Sequence, residues 1–344
     1  MLTNTPWFMD LGAKGSRLWR DGPSDIKQHL SFFLDHGYVV LRSSVPGQVV
    51  TNARAQFLAH KEKFRDKYAK HQDANGFQRR LVNLHMALDG LKDLFVSNTL
   101  ALRLQDFLFQ EQSACFTSLT FESGSEQEMH RDSPYFTTYP QYYYLGVWVA
   151  LEEIDERNGA LMVYDRGHLL QEPDRFELYE HINATCGQAQ PTAADLWDAY
   201  QSAVNLECEK HGLQKHVVPM SPGDTLIWHP HLPHGGSPIV EKHRSRLSLV
   251  NHVVPVNTPV FGIEVFYGRL DPPNVPNFPY VDYKGRKFVH HANVEFAHQD
   301  PTLPTNSNSD ATALPNRDMQ LASISAHYDI TSAWQTHHVR PIRS

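Results

Sequence analysis

The sequence predicts a mainly β fold, a sandwich or barrel decorated by helices. One observation is a series of short β-rich runs in the middle of the chain: FTSLTFE (116–122), YYYLGVWVAL (142–151), LMVYD (161–165), HVVPM (216–220), DTLIWH (224–229) and RLSLVNHVV (246–254). Another is the punctuation between them, in turns such as Arg157-Asn158-Gly159 and Ser221-Pro222-Gly223. Short strands separated by turns point to a sandwich or barrel and away from a parallel α/β sheet. The third is that the first third of the chain reads as helix around a single strand.

In order, residues 24–36 carry an N-cap residue, Ser24, and place Ile26, Leu30 and Phe33 on one helical face. Gly37 ends that helix, and YVVLR (38–42) follows as a strand. A second helical stretch starts after Pro46 and runs to about Gln72. A third, near 88–110, carries Leu91, Leu94, Phe95 and Leu102. Between Arg166 and His216 the β pattern is interrupted by a polar, helix-like segment that includes AADLWDAYQSAVNLECEKHG. After Val254 the chain becomes rich in Pro and aromatics, then loop-like and poor in apolar residues at 300–318. No internal repeat is visible.

At 344 residues the chain is long for one domain, but decorated all-β barrels reach that size, and 41% apolar residues suffice for one sizeable core. The expected organisation is one domain over 1–344. It has a helical part at 1–112, a β core at 113–255 with an insertion at 169–215, and an extension at 256–344. A net charge of −7, with no basic stripe, gives nucleic-acid or anionic-membrane binding no electrostatic support. The three cysteines, Cys115, Cys186 and Cys208, form no CxxC pair. That argues against a disulfide framework and a thiolate zinc site, and fits a reducing compartment. The N-terminus lacks the apolar run of a leader, and nowhere do eighteen apolar residues run together. The expected setting is the cytoplasm. Oligomeric state is not legible.

The chemistry starts at His130-Arg131-Asp132. On an extended segment residues i and i+2 share a face, so one metal can meet both the imidazole and the carboxylate. A second imidazole from a distant strand would complete a facial triad with open positions, the arrangement of non-haem Fe(II) oxygenases. Alone, the motif is weak evidence and reads more readily as a surface turn with Asp132 capping a backbone N–H. Among 21 histidines the second imidazole is ambiguous: His229, His231 and His234 crowd one strand end.

Residues 223–237, GDTLIWHPHLPHGGS, resemble the distal iron-ligand stretch of the phytanoyl-CoA dioxygenase-like family of 2-oxoglutarate oxygenases. LDHGYVVLRSSV (34–45) is similar to that family's N-terminal helix-to-strand signature. GVWVALEEIDERNGALMVYDRGH (146–168) is similar to its Trp-x-x-Leu…Asn-Gly-x-Leu stretch, which normally closes on Gly-Ser-His. Here the closing triplet is Arg166-Gly167-His168. The matches span 34–45 and 116–252 in order.

The resemblance implies a double-stranded β-helix, a cupin-like jelly roll, with His130, Asp132 and His234 as iron ligands and His229 as a core or supporting imidazole. It also implies an arginine, ten or eleven residues after the distal histidine, that forks onto the far carboxylate of 2-oxoglutarate. Arg244 lies ten residues after His234 and fits the Arg-x-x-apolar-Ser pattern through Ser248. Arg246, on the same face of one strand by alternation, is the rival. Trp148, eighteen residues after His130, fits a tryptophan set against the co-substrate or a core tryptophan, with Tyr142, Tyr144 and Gly146 on its face. Ser237 is the weakest cofactor-site residue, one glycine out of register.

The implied cofactors are Fe(II), 2-oxoglutarate and O2, and the implied reaction is hydroxylation of a small organic molecule with succinate and CO2 as co-products. Desaturation or ring chemistry at the same iron is an alternative. Halogenation is disfavoured because Asp132 fills the position a halide would need. A cupin-like binding protein without activity is the non-enzymatic alternative. The insertion at 169–215 and the extension lie where such folds recruit lids.

Overall fold

The computed structural model describes residues 5–186, 190–269 and 278–291. Helix α1 (Lys27–His36) begins after Ile26 and not at Ser24, whose carbonyl accepts the Lys27 N–H instead. It stops at Gly37, which takes φ 80°, the left-handed conformation that glycine adopts without a Cβ penalty. Helix α2 (Gly47–Lys63) is shorter than the sequence suggests, because the backbone breaks at Phe64 into a separate short turn. The expected third helix is two, α3 (Asp89–Val96) and α4 (Thr99–Phe109). Asn98 starts the second by accepting the Ala101 N–H through its side chain.

Strands β1 (Tyr38–Leu41), β2 (Leu81–Val82), β3 (Ser113–Phe121), β4 (Leu145–Ala150), β5 (Leu161–Tyr164), β6 (Lys215–Val218), β7 (Thr225–Trp228), β8 (His234–Gly236) and β9 (Ser248–Pro255) build the core. A hairpin, β10 (Tyr280–Tyr283) and β11 (Arg286–Val289), follows. The large sheet runs β1-β7-β4-β9-β3-β11-β10, with β2 also on β3. The small sheet is β6-β5-β8. This is the jelly-roll core expected from the sequence. The hairpin lies inside the stretch read as an extension. Its signal was Lys284-Gly285, both at positive φ, between two alternating runs.

Alternation assigns the two faces of the large sheet. Leu145, Val147, Ile227 and Val253 pack on α1 and α4, while Val149 and Leu249 pack on α2 and α3. Trp148, Leu226 and Trp228 turn the other way, against Val163 and Val218 of the small sheet. Burial on both faces explains why LGVWVA reads as an unbroken apolar run.

The insertion forms two helices, α5 (Arg175–Thr185) and α6 (Ala193–Lys210). A capping box between Thr192 and Asp195 starts α6. Leu196, Tyr200 and Val204 on α6 are fully buried in a cluster with Phe266 and Tyr267. Through α6 the segment docks on the core. The loop-rich stretch at 300–318 lies outside the described residues.

Gly146 on β4 sits opposite Trp228 on β7. A Cβ there would lie 1.8 Å from the indole, so no other residue leaves the ring in place. Gly146→Ala should destabilise the protein by about 1–3 kcal/mol through overpacking. Urea unfolding measures this, and a stability equal to wild type would show that the indole has room to move.

Candidate metal and co-substrate site

The segment 129–132 joins the small sheet through one residue. His130 N–H donates to His234 O at 2.8 Å, and His234 N–H returns the bond to His130 O at 2.9 Å. Residues on either side of Arg131 then face the space between the sheets, as the extended reading of the motif requires. Ligand atoms of His130, Asp132 and His234 all lie within 4.8 Å of one another, and all three residues are buried.

The protonation pattern suits a divalent ion. His130 Nδ1 lies 2.7 Å from Glu128 O, and His234 Nδ1 lies 3.0 Å from Leu232 O. A carbonyl only accepts, so both Nδ1 atoms carry the proton and both Nε2 lone pairs point inward. Burial lowers the His234 pKa to about 4, against the pull of Asp132, so the ring is neutral near pH 7. For Asp132, burial would raise the pKa. The surrounding imidazoles of His234, His130 and His252 outweigh it and hold the carboxyl well below its usual range. Two neutral imidazoles and one carboxylate make the donor set of a non-haem Fe(II) site.

Support comes from the large sheet. Trp228 Nε1–H donates to Asp132 Oδ2 at 3.1 Å, and His252 Nε2 lies 3.3 Å from the same oxygen. Phe136 stacks on His252 with ring centroids 4.0 Å apart. Gln127 Nε2 lies 3.1 Å from His130 Nε2. The Gly235-Gly236 pair has a steric reason: a Cβ on Gly235 would meet Gln127 O at 2.7 Å.

The ligands open into a pocket of about 800 Å³, counting the solvent at its mouth. Trp148, Phe121, Leu161, Val250, Arg246 and Arg80 contribute to its wall. Arg246 is buried, its guanidinium 5.3 Å from the Trp148 ring centroid and 5.6 Å from that of Phe121. It donates to Gly159 O, and its Nε has no partner. Burial brings its pKa down to about 10. Among the described residues no carboxylate pairs with it.

The structure separates Arg244 from Arg246. The strand begins at Ser248, so Arg244 and Arg246 do not alternate on one strand. Arg244 lies in the turn before it, outside the pocket, bound to Asp155 and Glu241 at 3.0 Å each. Trp148 does line the pocket, beneath Arg246. Ser237 does not: it is buried with its N–H on Ala160 O and its Oγ without a partner. Tyr144 and Tyr142 also turn away, the first to Pro230 O, the second to Glu172.

Of the three crowded histidines, only His234 reaches the pocket. His229 packs on Phe8, Phe33 and His168, and His231 against Tyr142. The odd triplet at 166–168 has a local role. Arg166 takes φ 65°, Gly167 packs where a Cβ would lie 2.6 Å from Pro233, and its carbonyl accepts from Arg131 Nη2.

Residues 33–246 match the family described as phytanoyl-CoA dioxygenase (PhyH). The chain belongs to that family. Peroxisomal phytanoyl-CoA dioxygenase of Bos taurus is 29% identical over 117 residues, which are 32% of this chain and 28% of the bovine protein. Among solved structures, the epimerase SnoN in complex with Fe3+, alpha ketoglutarate and nogalamycin RO is 16% identical with a TM-score of 0.51. That match covers 78% of this chain and 99% of SnoN, and it shows a shared fold. EctD from S. alaskensis, solved with 2-oxoglutarate and 5-hydroxyectoine, is 17% identical with a TM-score of 0.47, over 71% of this chain and 82% of its own. Fe(II), 2-oxoglutarate and O2 are the cofactor and co-substrates of the PhyH family, and the His130/Asp132/His234 set fits the metal. Among the described residues no helix is long and apolar enough to cross a membrane.

Sequence reasoning missed Trp228, His252, Gln127, Phe136 and Arg80. Trp228 was accessible in principle, since TLIW alternates and Trp228 shares the inward face of Leu226. Trp228→Phe keeps a smaller aromatic ring and removes the N–H that orients Asp132. Losing such a supporting bond should weaken divalent-metal binding about 10–100-fold. Titration with Fe(II) or Co(II) checks it; wild-type affinity would mean that His252 orients the carboxylate alone.

Proposed function

We propose that the protein is an Fe(II)- and 2-oxoglutarate-dependent hydroxylase of a small organic molecule, with Arg246 in place of Arg244 as the anchor for 2-oxoglutarate. The observation that carries this reading is a buried guanidinium without a carboxylate partner, in the same pocket as a His–Asp–His set. A buried charge left unpaired is costly, and the position calls for an anion. A five-carbon diacid held by its keto-acid end at the metal supplies that anion with its other end.

His130, Asp132 and His234 hold the iron, and Trp228 and His252 keep the Asp132 carboxylate turned toward it. Bound iron supplies the site where O2 is reduced as 2-oxoglutarate is oxidised to succinate and CO2, the second oxygen atom entering a substrate C–H bond. Trp148 and Phe121 both lie against the Arg246 guanidinium, which lines the pocket with them. Phe136, Leu161, Val250 and Leu119 make the wall largely apolar, which excludes water and strengthens the charge pairing. The three cysteines are free, which fits our reading of a cytoplasmic enzyme.

Asp132→Ala should abolish 2-oxoglutarate-dependent O2 uptake and succinate formation, because two imidazoles alone hold a divalent ion poorly. Decarboxylation at the wild-type rate would remove the metal assignment. With a turned-over substrate, a product heavier by one oxygen atom identifies hydroxylation, whereas loss of two hydrogens identifies desaturation.

The two arginines separate cleanly. Arg246→Leu leaves the diacid's far carboxylate unpaired and should cost about 2–5 kcal/mol of binding. The 2-oxoglutarate dissociation constant then rises by about 30-fold or more. Arg244→Leu, which loses a surface pair, should stay within a few-fold of wild type. The opposite pattern would return the anchor to Arg244, and two silent substitutions would sink the co-substrate assignment.

A further inference from the structure

The metal-ligand segment is held on one side by β8, but among the described residues no strand lies along its other edge. Two side chains of α6 take that place. Gln201 Oε1 accepts the Arg131 N–H at 2.8 Å, and Gln201 Nε2–H donates to Arg131 O at 3.0 Å. One turn further, Asn205 Nδ2–H donates to Met129 O at 2.8 Å and also to Gln201 O at 2.8 Å.

The spacings match. Residues i and i+4 stand about 5–6 Å apart on a helix, and residues i and i+2 about 6.5–7 Å apart along an extended chain. A primary amide offers a donor and an acceptor side by side, as a peptide group does. The Gln201 amide therefore pairs with residue 131 much as a neighbouring strand would.

Arg131 is the residue between two ligands. Rotation of its flanking peptide planes would swing His130 and Asp132 together, and a metal site tolerates displacements of only about 0.5 Å. The other restraints on Arg131 point the same way: its side chain is buried, and Nη2 donates to Gly167 O at 2.9 Å. The helix that carries the clasp is itself fixed, since Tyr267 Oη–H donates to Leu196 O at 2.7 Å and Tyr200 Oη–H to Glu172 at 2.8 Å.

We propose that Gln201, assisted by Asn205, is a positioning residue for the iron ligands, so that the insertion at 169–215 is a working part of the metal centre. This rests on the iron-oxygenase reading above. It goes beyond that reading by assigning a function to side chains that touch neither metal nor substrate.

The test measures metal affinity beside fold integrity, on the full chain. Apo protein is titrated anaerobically with Fe(II), and separately with Co(II), against a competing chelator. The absorption of the Fe(II) complex is recorded with 2-oxoglutarate present. Gln201→Ala and Asn205→Ala should each weaken binding about 10–100-fold, while circular dichroism and the apo melting temperature stay near wild type. Gln201→Glu, which keeps the acceptor for Arg131 N–H and loses the donor, should fall between Gln201→Ala and wild type. Leu206→Ala, on the exposed side of the same helix, should bind metal as wild type does.

If Gln201→Ala fails to fold, Gln201→Glu and Asn205→Ala decide by the same criterion. Folded variants with wild-type affinity and an unchanged Fe(II) spectrum would overturn the positioning role and leave the oxygenase reading standing. A wild-type chain that binds neither ion would overturn both.

Discussion

The active region depends on a single backbone pair, the two hydrogen bonds exchanged by His130 and His234. They join residues more than a hundred positions apart in the chain and attach the ligand-bearing segment to the small sheet at the point where it faces the large one. Both imidazoles are then held by carbonyls of their own loops, so tautomer and direction follow from main-chain geometry. Asp132 completes the set from the same segment, and the large sheet reaches across to it through Trp228 and His252. One carboxylate is thus tied to both layers of the jelly roll.

That arrangement explains which parts of the structure were legible in the sequence. A sandwich or barrel was visible because short β-rich runs are separated by turns, the jelly roll itself followed from the family resemblance, and LGVWVA was continuous only because helices cover its back. The candidate ligands His130 and Asp132 were legible because His-x-Asp needs no tertiary information beyond an extended backbone. His234 was harder: three histidines within six residues could be separated only by resemblance to a family, and their separation in space comes from packing against Phe8, Phe33 and Tyr142.

Elsewhere, counting along the chain failed for a physical reason. Arg244 had the expected spacing, but spacing does not say where a turn ends and a strand begins. The turn places Arg244 beside Asp155, a partner 89 residues away, and Arg246 goes inward instead. The supporting residues are of the same kind. Trp228, His252 and Gln201 meet the motif across separations of 96, 120 and 70 residues; alternation along TLIW turns Trp228 inward, but no local pattern says what any of the three meets. The 280–289 hairpin was obscured differently, because its Lys-Gly turn lies within Pro- and aromatic-rich surroundings.

The solitary charge of Arg246 also bears on how long the protein survives. A buried guanidinium without a carboxylate partner is costly, and with Arg246 as the proposed anchor, a diacid that neutralises it lowers only the folded state. Such a ligand stabilises by mass action, by about 2.7 kcal/mol at a hundred times its dissociation constant. The fraction of molecules open to proteolysis therefore falls as the diacid accumulates. On this reading the abundance of the enzyme, as well as its rate, follows the supply of its co-substrate.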